Sequence, residues 1–341
     1  MTLEVIGISV LWVFLFGYIM VASIDFGAGF FNAYSTLTGR AHVLAKVIQR
    51  YLSPVWEVTN VFLVFFFVGI VGFFPKVASY YGTVLLVPAS LALILLAIRG
   101  SYYAFVTYGG LRGKRYTLLY GLSGLLIPAS LSIVLTISEG GFVSRQNGAL
   151  VLDYAALFTS PLTWSIVVLS LTAVLYISAV FLTWYAREAR DSRAEALLRR
   201  YALLWAGPAI LTAAGIMVEL RAHNPGHYAR MLEVWWLFAL SLLLFGRSVY
   251  LIWKKRQYGT AFLLLAGQFF LAFFGYGLSH YPYLLYPYLT IYDSFTSETM
   301  GIALIIAFIA GLCLLIPSLY LLFRLFLFDP DYLQGKRDNH A

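Results

Sequence analysis

The chain has 341 residues, of which 61% are hydrophobic and only 11% are charged, and its formal net charge is +8. Soluble domains carry about 25% charged residues, so this composition excludes an ordinary soluble protein and indicates a polytopic membrane protein. A single cysteine, Cys313, excludes an internal disulfide and a cysteine-based metal or iron–sulfur site within the chain. The sequence starts without a basic segment, so we expect the first apolar run to be retained as a helix and not cleaved.

Nine apolar segments are long enough to cross a bilayer as helices, because the hydrocarbon core requires about 20 mostly apolar residues. They cover residues 5–31, 55–74, 78–106, 116–138, 162–186, 200–219, 231–253, 260–279 and 299–327. We therefore predict an all-α, polytopic membrane fold with about nine transmembrane helices. The chain is expected to be one integral membrane domain, residues 1–341, which can divide into two helix bundles, about 1–138 and 162–279, and a last helix, 299–327.

The lysines and arginines between these segments are unevenly distributed. Sixteen of them fall in the connections on one side of the membrane and four in the connections on the other side. Because basic loops stay in the cytoplasm, this bias predicts an N-terminus outside the cell and a cytoplasmic C-terminus. The regular alternation supports the count of nine. It also explains the positive net charge better than nucleic-acid binding does, so nucleic acid is not expected as a partner.

Three ionisable residues lie inside or at the edge of the predicted spans, where a charge is costly and usually functional. Asp25 lies late in the first helix, Glu57 at the start of the second and Arg99 near the end of the third. With the N-terminus outside, all three fall toward the cytoplasmic side. Consecutive helices with short connections usually pack together, so we expect two carboxylates and one guanidinium near one cytoplasmic entrance.

This group of charges can be interpreted in two ways. Desolvation favours the neutral form of a carboxyl group and a nearby arginine favours the charged form, so a carboxyl group between these influences can take up and release protons. Asp25 and Glu57 are then proton relay candidates, with Arg99 as their tuning partner. Alternatively, the acids pair with Arg99 or cap a helix and only fix the packing. Ser53 and Pro54 support this alternative for Glu57, since a Ser N-cap and a Pro at the first helical position would place Glu57 in the first turn.

The histidines do not predict a haem or metal site in this chain. Axial haem ligands face a cofactor inside the bundle, whereas the five histidines fall in connections, in the tail or at a span end: His42, His223, His227, His280 and His340. His223 and His227 are separated by a Pro-Gly pair, which argues against a helical metal-binding pair. The sequence contains neither a P-loop nor a dinucleotide-binding glycine motif. We therefore expect a transporter-like bundle or a subunit of a larger membrane enzyme, with no metal and no cofactor bound by this chain alone.

Three short motifs, in order and at matching spacing, resemble those of a known family. They are Ser23-Ile24-Asp25-Phe26-Gly27-Ala28-Gly29, then Pro54-Val55-Trp56-Glu57 with a closing Phe73-Phe74-Pro75, and Arg99-Gly100. In these motifs the chain is similar to subunit II of the cytochrome bd-type quinol oxidases. Several departures indicate a divergent branch. Glu57 stands where the family usually has Asp, and Val58-Thr59-Asn60 stands where it has Gly-Asn-Glu. Phe62 replaces a Trp, and Ala104 and Val106 stand where the family often has Glu and Arg.

The resemblance implies a complex of bacterial or archaeal cell membranes that oxidises quinol and reduces oxygen to water. In the family, the b-type and d-type haems are ligated by subunit I, and subunit II packs against that subunit. A small accessory subunit, membrane lipid and, in some members, a structural quinone can complete the complex. Oxygen reduction consumes protons, so the resemblance supports Asp25 and Glu57 as a cytoplasmic proton route tuned by Arg99. Trp56 is expected to pack at the same entrance, and no catalytic residue is expected in this chain itself.

A secondary transporter with a binding site at the membrane midplane is the alternative function. Many such transporters are built from inverted repeats with broken helices. Prolines interrupt several predicted spans, but not in a clean repeat: Pro88, Pro128, Pro208 and Pro317. A haem-bearing partner would favour the oxidase, and uptake of a substrate without such a partner would favour the transporter.

Overall fold

A computed structural model of the protein describes residues 2–39, 41–108, 113–146 and 149–327, without the side chains of residues 49–58 and of a few others close to the gaps. The helices of this part of the chain are α1 (Leu3–Leu37), α2 (Ala41–Phe73), α3 (Pro75–Val84), α4 (Leu86–Tyr108), α5 (Lys114–Ser138), α6 (Tyr154–Thr159), α7 (Pro161–Glu188), α8 (Ser192–His223), α9 (Pro225–Glu233), α10 (Trp235–Trp253), α11 (Tyr258–His280) and α12 (Glu298–Leu322). A π-helical turn, Phe323–Leu327, continues α12. Two antiparallel hairpins lie in the connections, formed by β1 (Val143–Gln146) with β2 (Ala149–Leu152) and by β3 (Tyr283–Leu285) with β4 (Leu289–Thr290).

The fold class predicted from the apolar segments is confirmed, since the molecule is an all-α, polytopic membrane protein. Within the described residues, seven helices are long and apolar enough to cross a membrane. The bent pair formed by α2 and α3 can be counted as an eighth, and α4 is a shorter apolar helix. The count of nine and the orientation of the termini stay predictions.

Two of the predicted spans are interrupted. The third, residues 78–106, covers parts of α3 and α4, and the seventh, residues 231–253, covers the end of α9 and all of α10. The short helices α3 and α9 each begin with a proline, which suits the first helical position because it lacks an N–H and has a preset φ. Helix α3 bends by 118° from α2. The order of long helix, short proline-headed helix and long helix therefore occurs twice, in α2–α3–α4 and in α8–α9–α10.

Helix α2 begins at Ala41, well before the predicted start of the second span. Leu44, Val47 and Ile48 lie on one face of this added part and are buried in a core that includes residues of α7 and α8. A spacing of three and four residues gives a helix an apolar face. Burial of this face keeps the chain helical through a stretch that is too polar to be a span.

The prediction that Ser53 and Pro54 begin the second helix is therefore wrong. Both lie inside α2, and Glu57 lies in its interior and not in its first turn. Hydropathy finds only the membrane-spanning part of such a helix, because the amphipathic extension before it is apolar on one face alone.

Helix α1 lies at the centre of the molecule and packs against α2, α5 and α7. Its contact with α7 is closest at Gly27, where a Cβ atom would lie 2.3 Å from the Cβ atom of Ser178. The hydroxyl of Ser178 donates a hydrogen bond to the carbonyl of Ile24 at 2.9 Å. Because the residues at this crossing are small, the two backbones approach closely. The second half of α1, which includes Asp25, is consequently buried along most of its length.

The connections that the sequence assigns to the outer side meet at one end of the molecule. The tyrosine-rich segment 281–297 lies across this end. The N–H of Tyr286 donates to the carbonyl of Ser138 at 3.0 Å. The hydroxyl of Tyr81 donates to the carbonyl of Leu284 at 2.7 Å. The segment is therefore tied to α3 and to the end of α5, and it covers this end of the bundle.

Candidate functional site

The first candidate site is built around Asp25, whose side chain is 4% exposed in the buried half of α1. Nε of Arg99, from α4, lies 3.1 Å from Oδ2 of Asp25. The other carboxylate oxygen, Oδ1, accepts a hydrogen bond from the hydroxyl of Tyr120 on α5 at 3.1 Å. Helices α1, α4 and α5 therefore each contribute one polar side chain to a site inside an apolar bundle.

The guanidinium of Arg99 is 1% exposed and is bonded on several sides. Nη1 donates to the carbonyl of Tyr120 and Nη2 to the carbonyl of Asp25, both at 2.8 Å. The guanidinium carbon lies 3.6 Å from the ring centre of Tyr120 and 5.2 Å from that of Phe26. A buried charge is tolerated when it is paired and hydrogen-bonded. The planar guanidinium can meet a carboxylate, two carbonyls and an aromatic face together, which the compact ammonium of lysine cannot.

Two glycines leave the space that Arg99 occupies. A Cβ atom on Gly29 of α1 would lie 3.0 Å from Nη2 of Arg99. A Cβ atom on Gly124 of α5 would lie 3.2 Å from Nη1 and 2.6 Å from the carbonyl oxygen of Phe26. Glycine at these two positions is therefore required by the close approach of α5 and of the guanidinium to the backbone of α1.

Two tyrosines of this site were not singled out from the sequence. Tyr120 is one of 25 tyrosines, and only the nearby glycines of α5 mark a close helix contact around it. Tyr18 lies two helical turns before Asp25, on the same face of α1, and interacts with it electrostatically. The hydroxyl of Tyr18 is buried and has no hydrogen-bond partner among the described residues. The site therefore contains the hydroxyl of Tyr120 beside the carboxylate and the guanidinium, and Tyr18 lies on the same face of α1, roughly 10 Å away along the helix axis.

The structure brings Asp25 and Arg99 together, whereas the side chains of Glu57 and Trp56 lie outside the described part of the chain. The contact between Asp25 and Arg99 suits both interpretations of the sequence, a proton relay and an ion pair that fixes helix packing. The two interpretations differ in the activity that they predict for variants of Asp25 and Glu57.

A second group of polar side chains is buried at the end of the bundle where the outer connections meet. Glu139 directly follows α5 and accepts hydrogen bonds from the hydroxyl of Tyr276 and from the amide of Asn224. Nδ1 of His227 lies 2.9 Å from Oε2 of Glu139. Nδ1 of His280 lies 3.7 Å from Oε1. Three potential metal ligands from α9, α11 and the end of α5 are thus in one buried cluster.

The pKa of Glu139 reflects these neighbours. Burial raises the pKa of Glu139. The opposing effects are larger and hold this pKa below its usual value: they come from the hydrogen bond and charge of His227, the charge of His280 and the hydrogen bond of Tyr276. From the sequence, His227 was expected in an outer connection and His280 at the outer end of a span, and Glu139 was not singled out. The only local signal was an acid that directly ends an apolar run, because the three side chains are far apart along the chain.

The histidines with described side chains do not form a pair that could hold a haem iron between two rings. His223 points Nε2 at the carbonyl of Gly140, 2.9 Å away, and so faces backbone and not an open pocket. His227 and His280 have ring centres 5.0 Å apart and share one carboxylate, which places them too close together to hold a haem iron between them. The other two histidines lie outside the described side chains.

The fold and the buried Asp25–Arg99 pair define an integral membrane protein with a charged site enclosed by its helices. Residues 3–326 match the family described as cytochrome bd terminal oxidase subunit II. A Bacillus subtilis (strain 168) protein assigned as cytochrome bd menaquinol oxidase subunit II is 33% identical over 340 residues, which cover 96% of this chain and 97% of the relative. A chain in the structure of bd oxidase from Geobacillus thermodenitrificans is 68% identical and matches with a TM-score of 0.85, over 96% of this chain and 100% of that chain.

The chain therefore belongs to the cytochrome bd terminal oxidase subunit II family. It is a component of a quinol:oxygen oxidoreductase complex that contains haems and a subunit I. The family resemblance inferred from the sequence motifs is confirmed. Of the two functions considered, family membership favours the oxidase subunit over the transporter.

Replacement of Arg99 by leucine should strongly destabilise the protein. The change removes the donors for the Asp25 carboxylate and for two backbone carbonyls, and breaking one side of a buried ion pair costs about 3–5 kcal/mol. We expect a clearly lower thermal unfolding midpoint for the purified complex and a lower yield from membranes.

Arg187→Leu is the matched control for this prediction. Nη1 of Arg187 lies 3.3 Å from Oε2 of Glu195, a similar separation, but the arginine side chain is 64% exposed. Exposed ion pairs contribute about 0–1 kcal/mol, so the control should unfold close to the unaltered protein. Equal midpoints for the two variants would show that the buried pair has no special importance for stability.

Proposed function

We propose that this chain carries protons from the cytoplasm toward the oxygen-reducing centre of the oxidase, with Asp25 as the central relay group. The observation that supports this proposal is a carboxylate buried in an apolar bundle between a guanidinium and the hydroxyl of Tyr120, with Tyr18 buried on the same face of α1. Ionisable groups inside membrane spans commonly mark ion pathways and proton relays. A complex that reduces oxygen to water consumes protons, and a buried carboxylate such as Asp25 could deliver them.

The bonds of Arg99 explain how Asp25 could change its protonation state without loss of the site. Only Nε contacts the carboxylate, whereas Nη1 and Nη2 bind the carbonyls of Tyr120 and Asp25. The carbonyl bonds do not depend on the charge of the carboxylate. When a proton reaches Asp25, the guanidinium stays in place and is ready to stabilise the carboxylate again after the proton leaves.

The order of the relay follows from helix α1 and from the predicted topology. Asp25 lies nearer the end of α1 that is predicted to face the cytoplasm, and Tyr18 lies two turns deeper on the same face. We place Glu57 at the cytoplasmic entrance, Asp25 in the middle and the hydroxyl of Tyr18 on the inward side. Arg99 acts as the tuning partner of Asp25.

We further propose that the b-type and d-type haems are held by subunit I and not by this chain. The positions of the described histidines support this division, since they do not form a pair with room for a haem iron between two rings. We propose menaquinol as the substrate of the complex, because the Bacillus subtilis relative carries that description. A small accessory subunit and bound lipid, as the family resemblance implies, are part of the same proposal.

Asp25→Asn should reduce quinol oxidation by the intact complex about a hundredfold or more, since a missing proton-transfer group costs roughly 10²–10⁴ in rate. The amide keeps the shape of the side chain and Arg99 keeps its carbonyl bonds, but the guanidinium loses its counter-charge, so the variant should also be less stable and its rate is compared per haem retained. Asp25→Glu should recover part of the rate, and Glu57→Gln should lower it as well. The measurement is oxygen consumption with a soluble quinol, normalised to haem.

Asp293→Asn is the control for these variants, because Asp293 is an exposed carboxylate that bonds to Thr290 outside the bundle. It should oxidise quinol at the unaltered rate. Unchanged turnover in Asp25→Asn, in Glu57→Gln and in the double variant would refute the relay. A loss of haem in parallel with the loss of rate would favour the packing interpretation.

The location of the haems can be tested by producing this chain with and without subunit I in cells that lack other bd oxidases. We expect reduced-minus-oxidised bands of b-type and d-type haem only when subunit I copurifies with the tagged chain. Haem bands in the chain purified without subunit I would contradict the proposed division of labour.

Trp56 should stabilise the entrance and not transfer protons, so Trp56→Ala should lower the haem-loaded yield more than the turnover per haem. A large aromatic side chain contributes about 3–5 kcal/mol when it is buried. Trp164→Ala is the control, since Trp164 is an exposed tryptophan on α7. Equal yields for both variants would count against a packing role for Trp56.

A further inference from the structure

We propose that Glu139, His227 and His280 form a binding site for one divalent cation of the zinc type at the end of the bundle where the outer connections meet. Two imidazoles and one carboxylate are a ligand set that zinc commonly takes in proteins, with a fourth position left for water or another group. The site is separate from Asp25, and its existence does not depend on the proposed proton route.

The distances between the ligand atoms suit a single small cation. One potential ligand atom from each residue lies within 4.8 Å of the others. Nδ1 of His227 is 3.0 Å and Nδ1 of His280 is 3.7 Å from the same carboxylate oxygen, Oε1 of Glu139. Two ligands at about 2.0–2.1 Å from a tetrahedral zinc are roughly 3.3 Å apart, so the observed separations bracket the required one.

An imidazolium of His227 would donate to Glu139 in the metal-free site, whereas a neutral His227 presents a lone pair of Nδ1 to the carboxylate. The hydroxyl of Ser279 donates its only proton to the carbonyl of Tyr276 at 2.8 Å. Nε2 of His227 lies 2.8 Å from the same hydroxyl oxygen, so Nε2 must carry the proton of that contact. In a neutral imidazole, Nδ1 is then an acceptor, although it lies 2.9 Å from the Glu139 carboxylate. Two acceptors at this distance repel each other unless a positive species lies between them.

His280 provides the second observation. It is 8% exposed, and both of its ring nitrogens lack a hydrogen-bond partner among the described residues. Its Nδ1 points toward Oε1 of Glu139, but 3.7 Å is too long for a hydrogen bond. A buried imidazole without a partner on either nitrogen is costly, and ligation of a metal by one nitrogen would remove much of that cost.

The surroundings would orient the ligands of such a site. Tyr276 and Asn224 donate hydrogen bonds to Glu139, and Ser279 fixes the ring of His227 through its far nitrogen. Outer bonds of this kind set the tautomer and direction of metal ligands. Arg230, a nearby cation, directs Nε to the carbonyl of Ser279 at 2.7 Å and so away from the carboxylate. A bound cation would join α5, α9 and α11.

The test is the metal content of the complex purified through a tag on this chain, stripped with a chelator and dialysed against Zn²⁺ alone. We expect one tightly bound zinc per chain by elemental analysis. X-ray absorption at the zinc edge should show nitrogen and oxygen ligands at about 2.0–2.1 Å, with the signature of two imidazoles. Metal is counted per copy of this chain, so the result stands whether or not haem or subunit I copurifies.

His280→Ala and His223→Ala form a matched pair for this test. His280→Ala removes a proposed ligand but no hydrogen bond, so the variant should fold and should bind zinc at least tenfold more weakly. His223 lies nearby, on the carbonyl of Gly140, but outside the cluster, and its replacement should leave zinc binding unchanged. Glu139→Gln should weaken binding in the same way as His280→Ala.

Three results would overturn the proposal. They are a substoichiometric zinc content in the unaltered complex, zinc coordination without imidazole, and equal zinc affinity in the His280→Ala and His223→Ala variants. Each would mean that a proton, and not a metal ion, separates His227 from Glu139. The cluster would then be an imidazolium–carboxylate pair that holds the outer ends of the helices together.

Discussion

The arrangement of the first helices depends on one constraint, the enclosure of the Arg99 guanidinium in an apolar bundle. A charge removed from water requires an opposite charge and hydrogen-bond acceptors on every side that it presents. The acceptors here come from α1 and α5, and the guanidinium is delivered by α4. Helices α1, α4 and α5 must therefore keep their relative positions so that the guanidinium of Arg99 keeps its hydrogen bonds. Glycines on α1 and α5 allow the backbones to come close enough for this to occur.

The same constraint explains which parts of the site could be predicted from the sequence. Asp25 and Arg99 are rare charges within long apolar runs, and the basic loops indicate that both lie near the same membrane face. Their predicted depth in the membrane was therefore enough to predict that Asp25 and Arg99 lie close together. Tyr120 could not be found in this way, because a tyrosine in an apolar helix is ordinary and its hydroxyl acquires a role only when α5 packs against α1.

The errors of the sequence analysis have a common physical origin. A hydropathy average detects the length of an apolar run, but not where a helix begins or breaks. Helix α2 starts early because Leu44, Val47 and Ile48 bury one face of a polar stretch, and this placed Glu57 inside the helix. The breaks at Leu85 and Val234 were missed because each falls inside a predicted span of otherwise suitable composition. The cluster around Glu139 joins residues distant in sequence, which no local pattern can reveal.

Helix α5 connects the two polar sites and shows why they can be treated as independent. Tyr120, near its start, bonds to Asp25, and Glu139 directly follows its last residue. Nineteen residues of helix correspond to roughly 28 Å, a distance over which a charge at one site has little direct effect on a proton at the other. A cation at Glu139 would therefore act on the relay only by holding the outer end of α5 in place. A relay at Asp25 would require a group that changes its charge, whereas a cation site at Glu139 would require one that stays charged, and α5 places these two environments at its opposite ends.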